Sequence, residues 1–420
     1  MRIVYLNPCG RLGGAETSLR ELLASVRAAE PEWDLWLVLG EDGPLADQAR
    51  EMGVKVAVLA FPPALARLGD ARSSVAAMLL SLVKAVWATV RYSHSLSRAI
   101  RTIAPSIIHT NGFKMHLLGA WTRPRNTPVV WHIHDYVRSR RLVSRMLRLL
   151  RGGCSAAITN SRSVAADLKA LLPNLDVVTI YNAVDLKRFA PVGNKLDLDA
   201  IAGLTPAAAG TVRVGLVATL ARWKGHRVFL QALSRLYTEM PIRGYIIGGP
   251  IYQTEGSQWS LAELRQEADR LGLTGTVGFT GLVDDAAAAM RSLDIVVHAS
   301  TEPEPFGMVI IEAMACERAL IASDAGGASE LFVDGEDALA HPPGDVEILG
   351  QQIRRLAGDV ELRQRLGKAG RAKAERLYHG TRLVNELLSC YRSLSNHSGG
   401  QLGHVRPEPA MSSSIRTLGK

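Results

Sequence analysis

The sequence, 420 residues long, predicts an α/β fold of two doubly wound domains facing each other across a cleft. Three observations carry the prediction. Short apolar runs rich in β-branched residues alternate with helical patterns along most of the chain, which implies parallel sheets with helices on both faces. The alternation stops near Pro191 and restarts at Arg213, and each half opens alike, with a strand, a glycine-containing loop and a helix. A hydrophobic content of 47% supplies cores for two or three domains at this length and excludes a disordered chain.

In chain order, RIVYLN (2–7) reads as the first strand, PCGRLGGAE as the loop after it, and Thr17 to about Ala28 as the first helix. Strands follow at LWLVLG (35–40), VKVAVLAF (54–61), SIIHTN (106–111), VVWHIH (129–134), AAITNS (156–161) and VVTIYN (177–182). Most are short, largely apolar runs, the mark of strands covered on both faces. The stretch NKLDLDAIAGLTPAAAG (194–210) reads as a linker or irregular connection. RVGLVATL (213–220) restarts the pattern, ARWKG is a turn, and HRVFLQALSRLY is a helix. GYIIGG, VGFTGLV, DIVVHAS and ALIASD follow as strands separated by helices. Helices from Val346 to about Leu394 are charged and amphipathic, and the Ser/Gly/Pro-rich residues 395–420 read as a disordered tail.

Charge and cysteine usage narrow the function classes. Residues 1–190 hold 25 Lys and Arg against 14 Asp and Glu, a balance of +11, whereas the remainder balances at −2. A basic half suggests an anionic partner. No nucleic-acid motif accompanies it, so the expectation is no nucleic acid. Cys9, Cys154, Cys316 and Cys390 are far apart, which argues against a zinc site or a disulfide framework and fits a reducing compartment. Met1-Arg2 runs straight into the first strand, so no signal peptide is expected. The nearest approach to a spanning segment, 75–90, is broken by Lys84. Gly13-Gly14-Ala15-Glu16 lacks the spacing of a dinucleotide fingerprint, which weakens a nicotinamide reading.

The most informative stretch is EPEPFGMVIIEAMA, residues 302–315. It follows a buried strand, is punctuated by Pro305 and Gly307, and leads into a helix. Glu304 falls on the loop and Glu312 about one turn into the helix. The unpaired amides after Gly307 favour a phosphate. A carboxylate one turn in can accept two hydrogen bonds from a vicinal diol such as a ribose, and one on the loop can hold sugar hydroxyls. Taken alone, two glutamates at this spacing also fit an ordinary capped helix with surface carboxylates.

Glu304-Pro305-Phe306-Gly307 with Glu312 eight residues after Glu304 resembles the signature of retaining glycosyltransferases of the GT-B fold, family four (glycosyl transferases group 1). The resemblance covers residues 1 to about 394 and is strongest from 277 to 335. It implies two Rossmann-like domains, with Glu304 on the donor hexose, Glu312 on the ribose, and Phe306, Gly307, Met308 and Val309 as the donor-binding turn. By the same resemblance the Gly14 loop faces the donor diphosphate, His134 hydrogen-bonds the donor sugar, and Lys224 stabilises the leaving group. The family carries a further cation where this chain has Thr219, and Arg222 is the candidate replacement. His132 and His134 share a face but lack a third ligand at recognisable spacing. No Asp-x-Asp pair lies between apolar strands, so the expectation is no metal and no cofactor beyond a nucleoside diphosphate sugar as co-substrate.

The domain expectation is an acceptor-binding domain over 1–190, a linker over 191–210, a nucleotide-sugar donor-binding domain over 211–378 and a helix over 379–394 returning to the first domain. The expected activity is transfer of a hexose-type sugar, with retention, to a glycan or lipid-linked acceptor in surface polysaccharide synthesis. The alternatives are a transferase to a small sugar or sugar phosphate and an inactive nucleotide-sugar-binding subunit. The expected location is cytoplasmic, peripheral on the inner face of the cell membrane. Arg138, Arg141, Arg145, Arg148 and Arg151 recur at helical spacing beside Leu142, Met146, Leu149 and Leu150, which suggests an anionic membrane surface as a partner.

Overall fold

A computed structural model of the chain describes residues 1–62, 75–250 and 257–397, with side chains throughout except at 75–85 and 397. Seven parallel strands form the first sheet: β1 (Arg2–Asn7), β2 (Asp34–Leu39), β3 (Lys55–Val58), β4 (Ile107–Asn111), β5 (Val129–Ile133), β6 (Ala156–Thr159) and β7 (Val177–Thr179). Their order is β3-β2-β1-β4-β5-β6-β7. Six more make the second: β8 (Val212–Val217), β9 (Ile242–Ile247), β10 (Val277–Gly281), β11 (Ile295–His298), β12 (Ala319–Ser323) and β13 (Leu339–His341). Their order is β10-β9-β8-β11-β12-β13, again all parallel. The α/β class with two doubly wound sheets is therefore as predicted.

Each sheet reverses its winding at one place, between β1 and β4 in the first and between β8 and β11 in the second. Loops leaving the carboxyl ends of two such strands turn away from each other and open a crevice, where ligands of these folds bind. Helices cover both faces of both sheets, so β1, β5, β8 and β11 are largely apolar and buried, while β4 is buried throughout and carries polar His109, Thr110 and Asn111 at its carboxyl end. Strand β13 is a three-residue Leu-Ala-His edge, too short to carry a sequence pattern.

Two connections differ from the sequence reading. The range 194–210 contains a helical turn, Leu198–Ile201, and is pinned through buried Asp199. That carboxylate accepts from Tyr245 Oη at 2.7 Å and pairs with Arg243 at 2.8 Å and Arg213 at 3.3 Å. The final helix is Gly380–His397, so 395–397 continue it, and 398–420 lie outside the described residues. Its buried stripe of Leu383, Val384, Leu387, Leu388 and Tyr391 packs with Leu19, Leu22, Leu23 and Val26 of helix Gly14–Ala29 in the first domain. Each fully buried aliphatic side chain there is worth about 1.5–3 kcal/mol. Tyr391 Oη meets buried His109 Nδ1 at 2.7 Å.

Candidate active site

The second domain presents a charged cluster at the ends of β8 and β11. Glu304 is buried, and its Oε1 is paired with Lys224 Nζ. Its Oε2 accepts from His298 Nε2 at 2.6 Å and Ser300 Oγ at 2.5 Å. The Ser323 amide donates to His298 Nδ1 at 3.3 Å, so the ring proton sits on Nε2 and points at Glu304. Burial alone would raise the Glu304 pKa. The Lys224 ammonium and His298 outweigh it and hold the carboxyl far below the usual range. Lys224 is thus fixed by one of its three N–H groups, leaving two for an incoming anion. Its place depends on Gly225, whose φ of +76° lies in the left-handed region and where a Cβ would stand 1.8 Å from the Ala299 carbonyl oxygen.

Helix Met308–Ala315 begins directly after this loop, with Gly307 at φ +100° as its N-cap. A Gly at that φ lets the chain turn from the Glu304 loop into the helix within one residue. Met308 and Val309 supply the first amides, which have no partner inside the helix. Half-buried Glu312 lies one turn on, and among the described residues its carboxylate has no hydrogen-bonding partner. Burial raises its pKa to about 7, with Arg188 and Arg20 opposing and Glu21 reinforcing the shift. Met308 Sδ approaches the first domain, 3.7 Å from Ser18 Oγ and 3.6 Å from Asn182 Nδ2.

The first domain contributes the opposite wall. Gly14 opens helix Gly14–Ala29, and a Cβ there would meet nothing within 4 Å, so open space lies in front of it. A hydrogen-bonded chain crosses the strand ends: Asn7 Nδ2 donates to the Cys9 carbonyl at 2.5 Å, and Asn111 Nδ2 donates to Asn7 Oδ1 at 2.6 Å. The Asn111 oxygen therefore faces His134, whose Nε2 must be the donor. This fixes the tautomer and leaves Nδ1 as an acceptor. Burial pushes the His134 pKa down to about 4, so the ring is neutral. Behind it His132 Nδ1 lies 3.1 Å from His109 Nε2, joining the chain that ends at Tyr391.

Two predicted residues are placed differently. The Arg222 guanidinium stacks on Trp259 at 3.7 Å and pairs with Glu263 at 3.3 Å, not with the Lys224–Glu304 cluster. The rotation is local: in the turn Arg222–Lys224, Lys224 turns to Glu304 while Arg222 turns to helix Leu261–Arg270. Thr219, where the family has a cation, keeps a buried hydroxyl that has no partner among the described residues. The Phe306 ring is buried in the core of the second domain near Tyr181, so only its backbone is available to a ligand. No group of three or more His, Cys, Asp or Glu able to hold a metal occurs among the described residues.

Residues 12–188 match the family described as Glycosyltransferase Family 4, and residues 211–359 match Glycosyl transferases group 1. The chain belongs to the family 4 glycosyltransferases of the GT-B fold. The Anabaena protein HepE in complex with UDP-glucose superposes with a TM-score of 0.76 at 23% identity, covering 94% of this chain and all of HepE. Sucrose-phosphate synthase from Thermosynechococcus elongatus superposes at 0.74 with 21% identity over 94% and 99% of the two chains. At these identities the likeness establishes the fold. D-inositol 3-phosphate glycosyltransferase of Streptomyces bingchenggensis is 30% identical over 208 residues, 48% of this chain and 44% of the relative. Phosphatidyl-myo-inositol mannosyltransferase of Mycobacterium tuberculosis is 32% identical over 232 residues, 52% of this chain and 55% of the relative. The chain thus spans about half the length of the curated relatives it matches.

In this family 4 glycosyltransferase the cleft widens beside Glu304 into a cavity of about 840 Å³, whose walls include Tyr136, Arg138, Arg140, Trp223 and Pro305. Sequence reasoning did not single out His298, Ser300, Tyr136 or Asn7. A histidine ending a buried strand six positions before Glu304 was the available signal for His298. Glu330, just past Gly326-Gly327, bridges the domains. It accepts from the amides of Arg162 at 2.9 Å and Ser163 at 2.7 Å and from Tyr181 Oη at 2.8 Å. Ser161 is the N-cap of helix Arg162–Leu171 and accepts from Val164 N. Among the described residues no helix is long and apolar enough to cross a membrane.

Proposed function

We propose that this chain transfers a hexose-type sugar, with retention of anomeric configuration, from a nucleoside diphosphate sugar to a glycan or lipid-linked acceptor in surface polysaccharide synthesis. The observation that carries the reading is the fixed Lys224–Glu304–His298 cluster beside the Met308 helix start, with an unpartnered Glu312 one turn behind it. In this reading the donor diphosphate takes the two remaining Lys224 N–H groups and the first helix amides, which stabilise charge as the sugar–phosphate bond breaks. Glu312 receives the ribose diol. Glu304, rigid and ionised, orients the hexose, and His134 accepts from a sugar hydroxyl through Nδ1. The acceptor oxygen attacks C1 on the face the phosphate leaves, and its proton passes to the departing phosphate oxygen. Glu304 is not assigned the role of a general base, because its pKa is held so low.

The relatives are named for transfer to inositol phosphate and phosphatidylinositol, which supports a polyol or lipid-linked acceptor. The first domain takes the acceptor, the second the donor, and the chain works in the cytoplasm at the inner face of the cell membrane. Metal has no part in this reading, so turnover should persist in chelator and gain nothing from magnesium or manganese. Thermal-shift measurements against nucleoside diphosphates and their sugars test the donor, because a ligand of the folded state raises apparent stability. Glu304→Ala should lower turnover by about 10²–10³-fold while nucleotide binding by calorimetry changes little. Equal turnover in variant and parent would end the assignment.

A further inference from the structure

The first domain carries a buried polar relay that ends against His134 and that the proposed chemistry does not use. It begins on the returning helix Gly380–His397, at fully buried Tyr391. Tyr391 Oη donates to Tyr5 Oη of β1 at 3.4 Å and meets His109 Nδ1 of β4 at 2.7 Å. His109 Nε2 lies 3.1 Å from His132 Nδ1 of β5, the two rings meeting edge-on. The His132 ring in turn lies against the His134 ring, with centroids 4.0 Å apart and planes tilted by 38°.

Burial, more than the neighbouring His134, pushes the His109 pKa down to about 3 and that of His132 well below its ordinary value, so both rings are neutral. A neutral imidazole has one N–H and one acceptor nitrogen, and a hydroxyl has one proton. The Tyr391 proton goes to Tyr5, so His109 Nδ1 donates to Tyr391 Oη and His109 Nε2 accepts from His132 Nδ1. His132 Nε2 is left as a lone pair without a partner among the described residues. Leucine or valine in place of these groups would spare the sheet core their desolvation cost. What a buried polar network adds is one fixed arrangement.

Asn111 holds one nitrogen of His134, which leaves the ring free to tilt about that contact. The face of His132 removes the tilt, and His132 is itself held by His109 and Tyr391. From these contacts we infer that Tyr391, His109 and His132 are positioning residues for the proposed transfer: they set the plane of His134 and so aim its free Nδ1 at the donor sugar. This rests on the role given to His134 above. The returning helix thereby does more than pack on helix Gly14–Ala29, because Tyr391 carries its placement to the cleft.

Tyr391→Phe in the full chain removes one hydroxyl and keeps the packing. Turnover should fall about tenfold, short of the ~10²-fold that a 1 Å misplacement can cost, while nucleoside diphosphate affinity by calorimetry stays as in the parent. Since Tyr391 acts through His134, the loss should vanish on a His134→Ala background, as for residues that act as a unit. A hydroxyl that only stabilises the fold would lower both backgrounds alike. Nitrogen-15 NMR of the imidazoles reads the relay without activity. His109 and His132 should each show a protonated Nδ1 in the parent, and Y391F should shift the His134 signals. His132→Leu, which removes the ring that His134 lies against, gives the same test should Y391F not fold. Its loss should be at least as large and should also vanish beside His134→Ala. Parent-like turnover in a folded Y391F or H132L overturns the inference. So does an equal loss with and without His134, or a His134 signal that Y391F leaves in place. A parent that transfers nothing overturns the proposed function instead, and the His134 signals then decide the relay alone.

Discussion

Glu304 and Glu312 are both glutamates of one short segment, yet their surroundings drive them apart. Glu304 lies among Lys224, His298 and Ser300 and stays ionised, while Glu312 has no hydrogen-bonding partner among the described residues and burial pushes its pKa up to about 7. The difference gives a pH signature. If the ionised Glu312 carboxylate receives the ribose diol, donor affinity should rise with pH through about 7 and level off above it. Protonation competes below that value because a neutral carboxyl is a poorer acceptor. Calorimetric titration of the nucleotide at several pH values checks this, and Glu312→Gln should flatten the profile. Glu312→Ala should cost about 1.5–3 kcal/mol of nucleotide binding, the worth of hydrogen bonds to a charged group. Arg222 teaches the converse: a cation two residues from Lys224 in sequence faces elsewhere, because in a 3-10 turn successive side chains point in different directions.

At the scale of elements, the site depends on loops that have little freedom. The turn Arg222–Lys224 abuts the end of β11 so closely that only glycine fits at Gly225. Gly225→Ala combines a positive φ with a collision against the Ala299 carbonyl, a cost of about 1–3 kcal/mol or more. The loop would move away from β11 and take Lys224 from Glu304. The expected outcome is a lower melting temperature together with weaker diphosphate binding, read by calorimetry. Arg227→Ala, on the exposed side of helix His226–Ser234, should leave both nearly unchanged. On the opposite wall, β1 and β4 end in Asn7 and Asn111 at neighbouring positions, so the relay that orients His134 is a consequence of strand pairing.

For the whole molecule, a helix start in the first domain takes part in holding the cleft. Helix Arg162–Leu171 shares its capping between domains: Ser161 takes one amide and Glu330, from across the cleft, takes two more. A carboxylate at a helix N-terminus also complements the helix dipole. Glu330→Ala should cost about 1.5–3 kcal/mol, because two amides and the Tyr181 hydroxyl lose a charged acceptor. Thermal unfolding should show the loss, and small-angle scattering should show a larger radius of gyration as the domains separate. The returning helix Gly380–His397 limits that opening, since it remains packed on helix Gly14–Ala29.

The sequence by itself determined the two parallel sheets, because strands covered on both faces must be apolar along their length and their runs stand out between helical patterns. It also located the Glu304–Glu312 segment, whose spacing and glycine are local properties of a strand, loop and helix. Family resemblance assigned roles to Lys224 and His134. What periodicity left open was decided by tertiary structure. Asp199 pins the supposed linker only because Arg213, Arg243 and Tyr245 converge on it from β8 and β9. Phe306 is core, and Arg222 belongs to Trp259 and Glu263 rather than to the cleft. His298 and Asn7 become site residues, and Glu330 a bridge, through partners six to 168 positions away. The physical reason is one throughout: local sequence fixes where a backbone turns, whereas a side chain's partner is fixed by which strand ends and loops the folded sheets bring within hydrogen-bonding distance.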